Sequence, residues 1–128
     1  MTQPATTGSA AELIRAWFAD LEQNGVRYCV LRNYELLPED YGNDLDLFIS
    51  PADFARGLKI IRRRADEAGW RLLAEKRHMG NRRFYWRPAR NGKWVMIMDL
   101  FQGIFWKGVP LIPAAMIEDT RIRYKDFW

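Results

Sequence analysis

Asp44 and Asp46 stand two positions apart in the run DLDLFIS, where polar or aromatic residues alternate with Leu45, Leu47 and Ile49. A period of two belongs to a β-strand, so both carboxylates are expected on one face and the three aliphatics on the other. Paired carboxylates suit a hard divalent cation. Mg²⁺ (or Mn²⁺) takes oxygen ligands, typically a few carboxylates plus the phosphates of a substrate. A third acid, Asp99, lies in the most apolar run of the chain, VMIMDLF, where an unpaired carboxylate is costly and calls for a metal or a basic partner. Three such groups can hold two cations, one activating an attacking hydroxyl and the other steadying a departing pyrophosphate. The plainer alternatives are a solvated strand edge or arginine ion pairs for Asp44 and Asp46, and a capping acid just past a strand for Asp99.

The surrounding elements can be read from caps and periodicity. Ser9 and Glu12 fit a capping box, and Leu13, Ile14, Trp17, Phe18 and Leu21 recur at helical spacing until Asn24 and Gly25. The run RYCVLR, residues 27–32, suits a short buried strand with Cys29 as a small core residue. Residues 33–43 carry Pro38, Gly42 and three acids and read as a connection. After the strand bearing the aspartates, Ser50 is expected to cap a helix with Pro51 at its first position. Its buried stripe is Phe54, Leu58, Ile61, Ala65 and Ala68, and Gly69 ends it. Runs near 70–75, 82–87 and 94–101 suggest a β-meander, and a short helix is expected around residues 114–119. The Trp-rich stretch FQGIFWKGVPLI reads equally as a partner or acceptor surface and as packing beneath the meander. The fold class is therefore α+β, a mixed sheet flanked by helices in a single domain over residues 9–128, after a flexible leader over 1–8.

Composition narrows the function. The chain has 128 residues, 48% of them hydrophobic and 14% aromatic, which suits one folded core. One cysteine, Cys29, and one histidine, His78, exclude an internal disulfide and a four-ligand zinc site of the usual donors. His78 is expected at the surface. No apolar run approaches the ~20 residues of a membrane helix, and the first residues lack a signal-peptide pattern, so no membrane partner and a cytoplasmic location are expected. The net charge of +4 is unevenly spread. Thirteen Lys or Arg and three acids lie between Arg56 and Lys93, whereas residues 33–55 hold six acids and no Lys or Arg. The basic segment is compatible with nucleic acid or a triphosphate. A solvated helix is the favoured reading for Arg62, Arg63 and Arg64, while Arg82, Arg83 and Arg87 are better phosphate candidates.

The stretch VLRNYELLPEDYGNDLDLFI, followed later by MDLF, resembles small bacterial nucleotidyltransferases of the DNA polymerase beta superfamily, which share a strand, LR.Y, LP and G.D.DL in that order. The resemblance implies that Asp44 and Asp46 are the metal-binding pair. Asp99 would be the third ligand, which also helps to deprotonate the acceptor hydroxyl, and Gly42 the glycine that turns the loop. It implies Mg²⁺ or Mn²⁺ as cofactor, a nucleoside triphosphate such as ATP as substrate, and transfer of its monophosphate to a hydroxyl acceptor with release of pyrophosphate. Members usually place Gly-Ser at the end of the first strand to grip phosphates. Here Leu31, Arg32 and Asn33 stand there, so Arg32 by charge or Asn33 by hydrogen bonding takes that role, although a surface salt bridge is an equal reading for Arg32. Little chain beyond residue 105 is left to hold the acceptor, which implies a protein partner or a homodimer. The competing reading is a catalytically weak nucleotidyltransferase-fold module that acts through a partner protein.

Overall fold

Ser9 and the stripe that follows it form α1 (Ala10–Gln23), with the Ser9 hydroxyl accepting a hydrogen bond from the Glu12 amide at 3.1 Å. Leu13, Ile14, Trp17, Phe18 and Leu21 are all buried along one side of it. Gly25, at φ +67°, turns the chain into β1 (Tyr28–Val30). The computed structural model describes residues 9–32, 34, 37–38, 44–78, 81–88, 95–106, 109–124 and 127–128. The expected leader, Asn33, Gly42 and the side chain of His78 lie outside that description.

The aspartate run forms β2 (Leu45–Ile49), and a 3₁₀ turn (Pro51–Asp53) leads into α2 (Phe54–Glu67). Phe54, Leu58, Ile61 and Ala65 are buried as the spacing predicts, and Gly69 follows at φ +80°. The start of this helix departs from expectation, because the Ser50 side chain makes no capping bond. The Ser50 carbonyl instead accepts from the Asp53 amide at 2.9 Å, which closes the turn through the backbone.

The expected meander is present as β3 (Trp70–His78), β4 (Asn81–Pro88) and β5 (Met96–Phe101), paired antiparallel in sequence order. Together with β1 and β2 it makes a five-stranded sheet of order β1-β2-β5-β4-β3, mixed because β2 runs parallel to β5. A hairpin of β6 (Ile104–Trp106) and β7 (Val109–Ile112) and a helix, α3 (Ala114–Thr120), complete the α+β domain. No helix among the described residues is long and apolar enough to cross a membrane.

Strand alternation divides the sheet into two unlike faces. Leu45, Leu47, Ile49, Met96, Met98, Leu100, Phe84 and Trp86 join the buried residues of α1 and α2 in the main core. There Trp17 packs against Trp86 and donates its indole N–H to the Ile61 carbonyl at 3.0 Å. Gly57 lets α2 approach β2 closely, since a Cβ there would lie 3.2 Å from Ile49 Cδ1 and 3.3 Å from Val26 Cγ1. On the other face Cys29, Phe48 and Ile117 of α3 form a smaller cluster, with Ile104 of the Trp-rich stretch against it. Burial pushes the Cys29 thiol up to about 11, partly offset by the charge of Arg121, which fits a core residue.

Asp53 ties these layers together. Its carboxylate accepts from the Arg27 amide at 3.0 Å and from Arg56 at 2.8 Å, while Arg27 also pairs with Glu118 of α3 at 3.3 Å. The Arg27 amide, outweighing the effect of burial and assisted by the two guanidiniums, holds the Asp53 carboxyl below its usual value. A lowered native pKa contributes stability that is present above the ordinary value of 3.8 and is lost as pH falls below it. Asp53→Ala is expected to cost about 1–3 kcal/mol at neutral pH by orphaning the Arg27 amide. Urea unfolding should show the gap between variant and wild type narrowing below about pH 4.

Candidate metal centre

The parallel register of β2 and β5 sets Asp46 directly beside Asp99, and the antiparallel register of β5 and β4 sets Asp99 beside Arg83. These three side chains share the face opposite α1 and α2, because their strand neighbours Leu45, Leu47, Met98, Leu100 and Phe84 all point into the main core. Asp44, one residue before β2, joins them. One carboxylate oxygen from each of Asp44, Asp46 and Asp99 lies within 4.8 Å of the others. Asp46 and Asp99 are only 4% exposed in their side chains and Asp44 13%.

Two arginines offset this negative charge. Arg83 grips Asp99 with both prongs, Nε to Oδ1 at 2.8 Å and Nη2 to Oδ2 at 2.9 Å, and lies 3.6 Å from Asp44. Arg32, just past β1, donates from Nε to Asp46 Oδ2 and places Nη2 3.7 Å from Asp44. The sequence left Arg32 between a phosphate ligand and a surface salt bridge; in the structure it forms a salt bridge with the triad itself. The arginine pairing weighed for Asp44 and Asp46 is likewise present, and it coexists with a geometry that gathers three carboxylates.

Burial holds the Asp44 carboxyl above its usual range, and its hydrogen bond with Asp99 adds to the rise despite the nearby Arg32. Burial also raises Asp46 against the opposing hydrogen bond from Arg32. In Asp99 burial is overcome by the Arg83 fork, aided by the two neighbouring acids, and the pKa lies below its ordinary value. The Arg83 fork thus favours the ionised form of Asp99, the form that binds a cation.

The donor set fits a hard cation. Asp46 Oδ1 is buried and, among the described residues, has no hydrogen-bond partner, a costly state that an oxygen-seeking ion would relieve. Among the described residues these three acids are the cluster of His, Cys, Asp or Glu with metal-holding geometry.

Arg82, another expected site residue, is placed elsewhere. Arg82 lies on the helix side of β4, opposite Leu100, with its guanidinium 5.4 Å from the Phe54 ring centroid and 3.6 Å from Glu75, so it does not join the triad. The reason is alternation: adjacent residues of a strand cannot share a face. Asn33 and Gly42 fall outside the described residues. Arg62, Arg63 and Arg64 pair with Glu75, Glu67 and Asp20, as a solvated helix face would. What the sequence reading missed is the role of Arg83, a phosphate candidate there and the orienting partner of Asp99 here. Its position two residues before Tyr85 on an alternating strand was the available signal, but it needed the β4–β5 register to be read. Comparison with known proteins finds no family model, no curated protein and no solved structure that matches the chain.

Asp46→Asn should remove repulsion from the acid cluster while releasing only an exposed arginine to water. The metal-free thermal midpoint is therefore expected to stay level or rise, by the equivalent of up to about 1 kcal/mol. Any Mn²⁺-dependent rise seen in the wild type should disappear. Differential scanning calorimetry of both proteins in EDTA and in Mn²⁺ checks both halves.

Proposed function

We propose that this domain is a metal-dependent nucleotidyltransferase that moves a nucleoside monophosphate from a nucleoside triphosphate to a hydroxyl acceptor, releasing pyrophosphate. The observation that carries the reading is the convergence of the carboxylates of Asp44, just before β2, Asp46 of β2 and Asp99 of β5 around an Asp46 Oδ1 that has no partner among the described residues. The order of the elements and the LR.Y, LP and G.D.DL pattern support it through the resemblance to the DNA polymerase beta superfamily. Asp44, Asp46 and Asp99 would hold one or two Mg²⁺ or Mn²⁺ ions. Bound there, such ions supply charge neutralisation at the triphosphate and acidify the attacking hydroxyl.

In the transfer, the acceptor oxygen forms a bond to the α-phosphorus and the bond from that phosphorus to the oxygen bridging toward the β-phosphate breaks. Arg83 fixes the plane of the Asp99 carboxylate, so the third ligand is oriented before substrate arrives. Asp99, oriented by that fork, would hold the metal and, as the resemblance implies, receive the proton that leaves the acceptor hydroxyl. Arg32 lies at the exposed rim of the triad, where triphosphate oxygens would meet it.

One observation favours the competing reading, a non-catalytic module that acts through a partner protein: Arg32 and Arg83 already offset much of the acid charge without a metal. Thermal unfolding of the wild type and of an Asp44→Asn, Asp46→Asn double variant, with Mg²⁺ and each of four nucleoside triphosphates, separates the two. The enzyme reading expects a metal-dependent rise for at least one triphosphate, equivalent to about 2.7 kcal/mol at a hundredfold excess over the dissociation constant and lost in the variant. No shift at millimolar ligand would favour the module.

A further inference from the structure

We propose that Arg32 is a displaceable counterion of the acid triad, which yields Asp46 to the metal and, once released, turns to the phosphates of the nucleoside triphosphate. This inference rests on the function proposed above and adds a coupling between its two ligands. Its basis is the unlike mounting of the two arginines. Arg83 stands within β4, bonds both oxygens of Asp99 and is flanked by Tyr85, whose hydroxyl also meets its guanidinium. Arg32 lies beyond the end of β1, its side chain is 64% exposed, and it bonds a single oxygen of Asp46. Among the described residues it has no partner outside the triad.

The charges then determine the exchange. Among the described residues Asp46 has one oxygen on Arg32 and one without a partner, so its carboxylate is half satisfied. A divalent ion brings two charges to the cluster where Arg32 brings one, and it repels the guanidinium that it replaces. Arg32 reaches water at little cost because most of its side chain is already there. The freed fork suits the paired oxygens of a phosphate, whereas Arg83 cannot leave without unsettling Asp99. Metal binding thus prepares the anion grip, and by reciprocity bound triphosphate, by keeping Arg32 engaged, tightens the metal.

The test is a calorimetric titration of Mn²⁺ alone into wild type, Arg32→Gln and Arg32→Lys, followed by titration of a non-hydrolysable triphosphate at saturating Mn²⁺. Arg32→Gln is expected to tighten Mn²⁺ by about fivefold, the scale of an exposed ion pair, and to weaken the triphosphate by about tenfold or more. Arg32→Lys should keep Mn²⁺ affinity near wild type yet still weaken the triphosphate, since it retains the charge without the fork. Mn²⁺ binding that Arg32→Gln leaves unchanged or weakens overturns the exchange while leaving the metal centre standing. Absence of Mn²⁺ binding in all three proteins overturns the metal reading and this inference together. Far-UV circular dichroism confirms that the variants are folded, as expected for substitutions at an exposed side chain.

Discussion

The parallel pairing of β2 with β5 is the constraint on which the rest of the molecule turns. It sets Leu45 beside Met98 and Leu47 beside Leu100 toward the helices, and in the same register sets Asp46 beside Asp99 on the opposite face. A shift by one residue would put carboxylates into the core and aliphatics at the site. The apolar side therefore fixes the polar side. Burial of those aliphatics against α1 and α2 is what holds two like charges next to each other, an arrangement that the acids alone would oppose.

A parallel pair needs a crossover, and here the chain between β2 and β5 supplies α2 and the β3–β4 hairpin. Each has a separate job. The close approach at Gly57 seats α2 on Ile49 and Val26, so the end of the strand carrying Asp46 is backed by the helix. The hairpin brings Arg83 to the far side of β5, where it faces Asp99 directly. The bidentate bond that Arg64 donates to Asp20 ties α2 to α1, and Asp53 links α2 to the entrance of β1 and, through Arg27, to α3. The tail closes the outer edge, with the Val30 amide donating to the Trp128 carbonyl at 2.9 Å and Phe127 buried against Phe18.

Much of this was legible because it depends on local rules. The α1 cap at Ser9, the stripes of both long helices and the alternation in DLDLFI are patterns within a few residues, and the structure follows them. The Ser50 cap failed because a side-chain oxygen is only one way to close a helix start, and a 3₁₀ turn after Pro51 closed it through the backbone. Register between distant strands leaves almost no local trace. Asp99 could be suspected from its apolar surroundings, yet its pairing with Asp46 and with Arg83 required knowing which strands are neighbours. Arg82 and Arg83 were equivalent as sequence and are opposite in space, one held against Phe54 and Glu75 and the other on the acid cluster. The β6–β7 hairpin escaped because its strands are short and lack a clean period.

Gathering three carboxylates at the end of a sheet creates a local charge that folding must survive before any ligand arrives. Desolvation raises the pKa of Asp44 and Asp46, and two guanidiniums offset the charge of the cluster. The two solutions differ in permanence. Arg83 is built into the sheet and bonds both oxygens of Asp99, which orients that carboxylate. Arg32 is held by one bond at an exposed position, and the acid that it serves keeps a buried oxygen without a partner among the described residues. A site selected only for stability would have satisfied that oxygen from within, as it did for both oxygens of Asp53. The contrast between these two buried aspartates, one completed by the protein and one left open, is the physical ground for reading Asp46 as a group kept for something that binds.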